Sequence, residues 1–169
     1  MKVPLTKPSF SEAEIEAVRE VLRSGWVTQG PKVAIFESLL RTYLRAKEIV
    51  VVSNCTVGLH LCLLVSGIGP GDEVIVPSLT YIATVNSIKY VGAVPVFTDI
   101  SLSTYNIDPK VIENNISKRT KAILVVHQIG LASDLDPIRS LAKKYNLSLI
   151  EDAAPALGAT YKKEMIGEK

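Results

Sequence analysis

Five short apolar runs constrain this fold more than any other feature: Ile49–Val52, Glu73–Val76, Val94–Phe97, Ala122–Val126 and Ser148–Ile150. Each reads as a strand. A strand with one face in water alternates apolar and polar residues, whereas one covered on both faces is a near-continuous apolar run. Helical patterns separate the runs. Thr56–Ser66 is apolar nearly all round, which predicts a buried helix, and Thr80–Val91 reads as another. Asp108-Pro109 opens a short helix. Asp136-Pro137 caps one whose Ile138, Leu141, Ala142 and Tyr145 face the core. Gly69-Pro70-Gly71-Asp72 is a turn and Ser101–Asn106 a loop. Strands and helices in alternation predict an α/β fold, a mostly parallel sheet sandwiched by helices.

Before Glu48 the pattern is helical only. Ser11-x-x-Glu14 is a capping box, followed by Ile15, Val18 and Leu22 at helical spacing and closed by Gly25. Gly30-Pro31 opens a second helix with Phe36, Leu40 and Tyr43 on its apolar face. Residues 1–47 are thus expected to form an N-terminal helical segment and 48–169 the α/β part. The 169 residues suffice to bury a core. A net charge of +2, with Lys and Arg scattered, gives no footprint for nucleic acid or an anionic membrane. No signal peptide is read at the start and no apolar run spans a bilayer, so a cytoplasmic protein is expected. Cys55 and Cys62 fit no metal or redox spacing; they are expected to be buried and reduced, and no metal is expected.

In a parallel sheet, ligands bind beyond the carboxyl ends of the strands. After Val52, Ser53-Asn54-Cys55-Thr56 leads into the apolar helix. The first-turn N–H groups and positive dipole end there suit a phosphate, and the Thr56 hydroxyl adds a bond. The same residues serve as an ordinary N-cap, and the glycines of a Walker or dinucleotide loop are missing. After Val76, Tyr81 either stacks on a flat ligand or sits half-buried at a helix start. After Val126, His127 either contacts a ring or is a hydrogen-bonded structural residue. His60, inside the apolar helix, reads as packing. After Ile150, Glu151 and Asp152 face opposite sides of the sheet. A carboxylate there either pairs with a protonated ring nitrogen or serves as a cap or structural ion pair. Phosphate cradle and carboxylate together suggest a domain that binds a phosphorylated, cationic ring.

Further motifs run along the whole chain: Gly25-Trp26-Val27-Thr28-Gln29-Gly30-Pro31, the Gly69–Ser78 stretch with Thr80 and Ala83-Thr84, Asp108-Pro109, Thr120-Lys121-Ala122 and Glu151-Asp152-Ala153-Ala154. With these the chain resembles the DegT/DnrJ/EryC1/StrS family of aminotransferases that use pyridoxal 5'-phosphate (PLP). The resemblance implies the large domain of the fold-type-I architecture and PLP as cofactor. It implies transamination of a keto-sugar, usually nucleotide-linked, with an amino-acid donor such as glutamate, by a homodimer. It places Thr56 and the N–H of Val57 at the cofactor phosphate, with Cys55 beside them among the cofactor-binding residues. Tyr81 falls at the aromatic that stacks on the pyridine ring, and Asp152 at the acid that binds its nitrogen. His127 begins a His-x-x-Gly segment near the cofactor, and Trp26 and Thr28 fall on the substrate side. Pro155 stands where the family commonly has Gln.

The resemblance also implies parts that lie past Lys169: the Schiff-base lysine with a phosphate-binding serine before it, the rest of the large domain, and a small C-terminal domain. Lys121, at the amino end of its strand, is not expected to replace that lysine. Nor are Lys89, Lys143 and Lys144 on helices, or Lys162, Lys163 and Lys169 in the tail. The chain alone is therefore expected to be inactive, and to associate through uncovered apolar surface and an open sheet edge. Two other readings fit the same residues. One is a non-catalytic fragment or assembly partner. The other is a PLP- or PMP-dependent sugar dehydratase, with His at the lysine position.

Overall fold

A computed structural model describes residues 7–168. They fall into two units, one through Leu39 and one from Leu40 onward. In the first, α1 (Glu12–Ser24) starts on the expected capping box: Ser11 Oγ accepts the Ala13 N–H at 3.3 Å, and Glu14 accepts the Ser11 N–H at 2.6 Å. Gly25 ends it in the left-handed region, φ 71°, where a side chain would be strained. Helix α2 (Pro31–Leu44) opens on Pro31, whose fixed φ suits the first helical position, and runs past the boundary between the units. Among the described residues neither helix buries a side chain; Phe36 and Tyr43, expected on an apolar face, are half exposed.

The second unit holds α3 (Cys55–Val65), β1 (Glu73–Pro77), α4 (Ile82–Tyr90), β2 (Val94–Thr98), α5 (Pro109–Ile112), β3 (Thr120–Val126), α6 (Leu135–Tyr145) and β4 (Ser148–Asp152). The four strands pair in the order β2-β1-β3-β4, all parallel. Alternation along each strand sends successive side chains to opposite faces. Val74, Val76, Ala122, Leu124 and Ile150 pack with Leu59, Leu63 and Ile88 of α3 and α4. Ile75, Ile123 and Val125 pack with Ile112, Leu135 and Ile138 of α5 and α6. Helices thus cover both faces, as expected. The chain steps from β1 outward to β2, returns to β3 beside β1, and continues to β4 on the other side. The sheet therefore has a switch point between β1 and β3, where a crevice opens beyond the strand ends.

Several expectations are corrected. Ile49–Val52 is not a strand and joins neither edge of the sheet; Val50 is 75% exposed. An apolar run specifies hydrophobicity, but a strand also needs a ladder partner, and β2 and β4 hold the two edge positions. Helix α3 is not buried all round: Leu59 and Leu63 are, while Leu61, Leu64 and Val65 are exposed. Its sheet-facing side alone has a covering layer among the described residues. Cys55 and Cys62 are exposed, not buried, with Cys55 at the open first turn of α3; both are free thiols. Helix α6 starts two residues earlier than expected, with Asp134 in the N-cap position. The Asp136 carboxylate pairs instead with Lys162, which holds it below the usual carboxylate range. Tyr145 is 38% exposed and donates its hydroxyl to Glu113 at 2.6 Å, so it lies at the edge of the core. Ser148–Ile150 does not begin the last strand of the chain: β5 (Thr160–Tyr161) and β6 (Glu164–Met165) follow as an antiparallel hairpin. No described helix is long and apolar enough to cross a membrane.

Candidate functional site

Strand β4 delivers its last residue, Asp152, to the carboxyl edge of the sheet. Asp152 lies two residues after Ile150, on the face that packs α3 and α4, and is 6% exposed. Its carboxylate is held by donors from three directions. The Thr84 hydroxyl, one turn into α4, donates to Oδ2 at 2.7 Å, and Thr80 donates to Thr84 at 2.9 Å. The Ala154 N–H donates to Oδ1 at 3.2 Å, and the Cys55 thiol does so at 3.6 Å. Loss of solvent, then the adjacent Asp152 charge, pushes the Cys55 thiol up to about 11.

The carboxylate faces a hollow of about 570 Å³ at the switch point, which Cys55, Thr56, Tyr81 and Asp152 all line. They arrive from three segments: Cys55 and Thr56 from α3, Tyr81 from the loop after β1, and Asp152 from β4. Among the expected site residues, these four are brought together. Pro155 lines the hollow as well, and no lysine is among the described lining residues. Tyr81 occupies the N-cap position of α4 in extended conformation and is 79% exposed, so its ring is not half-buried at the helix start.

At the start of α3 the capping group is Asn54, whose Oδ1 accepts the Val57 N–H at 3.0 Å. Val57 does not line the hollow, and its N–H, expected to face a phosphate, is engaged in this cap. An incoming anion would have to share that N–H or displace the Asn54 side chain.

His127 does not reach the hollow in this structure. Its ring is fully buried, whereas Val126, Gln128 and Ile129 of the same segment line the hollow. Nδ1 accepts the Ser133 N–H at 3.0 Å, so the proton sits on Nε2 and goes to Glu151 at 2.9 Å. Arg139 approaches the other Glu151 oxygen at 3.9 Å. The two acids thus face opposite sides of the sheet, as alternation predicts, and His127 is a structural partner of the one that faces away. His60 packs edge-on against Tyr90, centroids 5.9 Å apart.

Trp26 and Thr28 lie in the unit through Leu39, where they line a hollow of about 540 Å³ with Val21, Val27 and Pro31. The Trp26 indole N–H donates to the Gln29 carbonyl at 3.0 Å. Gly30 sits directly beneath the ring: a Cβ there would stand 1.8 Å from Nε1. Only glycine lets the indole take this position.

Sequence reading missed the roles of three groups. Thr80 and Thr84 belong to a quoted motif, yet only their i,i+4 spacing at the start of α4 hinted at a shared contact. Asn106, 3% exposed, accepts the Gln128 N–H at 2.9 Å and donates to the Leu131 carbonyl at 3.0 Å, clamping the loop after β3. That loop carries Ile129 at φ 52°, a strained angle for a β-branched residue, at the rim of the hollow. Nothing local in the sequence announces a clamp made across 22 residues.

Residues 8–169 match the model of the DegT/DnrJ/EryC1/StrS aminotransferase family. A UDP-4-amino-4-deoxy-L-arabinose--oxoglutarate aminotransferase from Shewanella sediminis is 48% identical over 166 residues, which are 98% of this chain and 43% of that protein. The X-ray structure of the aminotransferase from Psychrobacter cryohalolentis superimposes with a TM-score of 0.93 at 40% identity, covering 97% of this chain and 42% of the other. The Bacillus subtilis protein NtdA, with bound cofactor PMP (pyridoxamine phosphate), superimposes with a TM-score of 0.86 at 41% identity, covering 88% and 34%. The chain spans less than half the length of these relatives.

Proposed function

Because the chain belongs to the DegT/DnrJ/EryC1/StrS aminotransferase family, we propose that it is the cofactor-positioning part of a PLP-dependent sugar aminotransferase. Residues 48–169 are its share of the large domain. The substrate is a keto-sugar carried on a nucleotide, the donor is an amino acid, and the working enzyme is a cytoplasmic homodimer. The UDP-sugar and oxoglutarate in the name of the Shewanella relative support the choice of substrate and donor.

One observation carries the reading: a buried carboxylate, Asp152, faces a hollow that it shares with the first turn of a helix and an exposed flat aromatic. The residues present fit a phosphorylated pyridine. Asp152 is an acceptor for a protonated ring nitrogen. Thr56 and the opening turn of α3 present a hydroxyl and a positive dipole end to a phosphate. Tyr81 offers a ring face at the mouth. When bound, the group supplies a sink for electrons from the substrate carbon that exchanges its amine. Asp152 keeps the ring nitrogen protonated, which that chemistry requires. Tyr81 fixes the plane of the ring, and Thr56 anchors the end away from Asp152. Trp26 and Thr28 are assigned to the substrate.

PMP is the proper probe, since it carries no aldehyde and so cannot label surface lysines. Titrated into the chain, PMP should bind saturably, with a change in its absorbance, and Asp152→Ala should weaken binding by at least about tenfold, or about 1.4 kcal/mol. Equal binding by wild type and Asp152→Ala would sink the assignment.

A further inference from the structure

The Thr84 hydroxyl has one hydrogen to give. It accepts from Thr80 at 2.9 Å and donates to Asp152 Oδ2 at 2.7 Å. The carboxylate decides this polarity: it can only accept, so it takes the hydrogen of Thr84 and leaves Thr80 as the donor to Thr84. Thr84 is 1% exposed, which keeps bulk water off the hydroxyl. On the other oxygen, the Ala154 N–H and Cys55 thiol approach from the backbone after β4 and the start of α3. A terminal carboxylate turns easily about its last torsion. Donors on both oxygens, from three segments, fix its plane.

An ionised carboxylate has about four acceptor sites. Thr84, Ala154 and Cys55 take three, leaving one for a donor from the hollow. We propose that Thr84 is a positioning residue: through the chain Thr80–Thr84–Asp152 it sets the plane of the carboxylate and aims its remaining acceptor site at the pyridine nitrogen. This rests on the cofactor reading above, and it concerns residues of this chain to which that reading gives no part.

Two consequences follow for Thr84→Val, which keeps the shape and removes the hydroxyl. The carboxylate is free to turn, so it meets the ring nitrogen less often in line. It also loses a donor, which makes it more basic and offsets part of that loss. The misalignment is the larger effect, so the pH at which bound PMP loses its ring proton falls.

The test compares the chain with its Thr84→Val, Thr84→Ser and Thr80→Val variants. PMP affinity and the ultraviolet absorbance of bound PMP against pH are the readouts, with thermal unfolding to verify the fold. Thr84→Val should weaken PMP binding about tenfold and shift the titration to lower pH, Thr84→Ser should restore both to within about twofold, and Thr80→Val should give a smaller loss of about threefold. Should Thr84→Val not fold, Thr80→Val, at a partly exposed position, decides the matter alone by the same two readouts. A Thr84→Val protein that melts lower yet binds PMP with an unchanged pH titration would show packing only, and the inference would fail. So would a Thr84→Ser variant as impaired as Thr84→Val. If wild type itself does not bind PMP, the cofactor reading falls and takes this inference with it; failure confined to the threonine variants leaves that reading standing.

Discussion

Cys55 is an exposed cysteine that should react slowly. Its thiol points at Asp152, and loss of solvent followed by that negative charge pushes it up to about 11 from an ordinary 9.0. The thiolate is the nucleophile. At pH 8 the folded chain should therefore alkylate at Cys55 about a hundredfold more slowly than the same residue in unfolded chain. Peptide-resolved labelling with iodoacetamide measures this; equal rates in both states would overturn it. The sign for stability follows from the same shift. The folded state favours the protonated thiol, so its contribution is full below pH 9 and lost as pH rises through about 11. Asp152→Asn removes the charge but not the burial, and should recover only part of the rate. The place of a single residue was legible in the sequence where the backbone alone sets it, as for Asp152 at a strand end and Thr56 at a helix start. The direction of the His127 ring was not, because Ser133 and Glu151 set it from elsewhere in the chain.

The elements that sequence reading found are those whose signal is local and whose partner is certain. Strands β1, β2, β3 and β4 carry apolar residues to both faces, and each has a neighbour within the described sheet. Ile49–Val52 has the same composition without a place in the ladder, and stays irregular. The hairpin β5–β6 was missed for the opposite reason. Its two-residue turn, Lys162-Lys163, has φ 50° and 73°, both left-handed, as a type I′ turn needs. Asn-Gly would have announced it; Lys-Lys does not. Tertiary ties hold it there. Tyr161 donates to Asp134 at 2.6 Å, Lys162 pairs with Asp136, and Arg139 lies 3.7 Å from Glu164, all on the side of α6. Hydrogen bonding to Asp136 raises the Lys162 ammonium, so that position has a partner to lose. Lys163 is the cleaner test. Lys163→Gly should relieve the left-handed backbone and stabilise the chain by about 0.5–1 kcal/mol. That is a melting temperature higher by roughly 1–4 °C. Lys163→Val should move it the other way. A glycine variant that melts at or below wild type would mean the turn is not type I′ in solution.

At the scale of the molecule, the unit from Leu40 onward shows a contrast between its two layers of helix. The α5–α6 side closes over Ile75, Ile123 and Val125. On the other side α3 uses Leu59 and Leu63 inward, while Val57, Leu61, Leu64 and Val65 form an exposed apolar stripe at helical spacing. Tyr81, Ile82, Ile129 and Leu157 add further exposed apolar area. Among the described residues the edge strands β2 and β4 each have one ladder neighbour. Contiguous apolar surface and open strand edges both drive association. The chain as it stands should therefore self-associate, and sedimentation velocity over a wide dilution range should show a concentration-dependent mass. The stripe on α3 gives the decisive comparison. Leu61→Lys with Leu64→Glu removes exposed apolar area and no core contact, so it should reduce association while leaving the melting temperature within about 1 °C of wild type. If association persists unchanged, the strand edges are its source, and a proline in β4 at an outward-facing N–H should then suppress it. A monodisperse monomer of wild type at every concentration would show that neither surface is sticky, and that the exposed residues of α3 are tolerated by water as they stand.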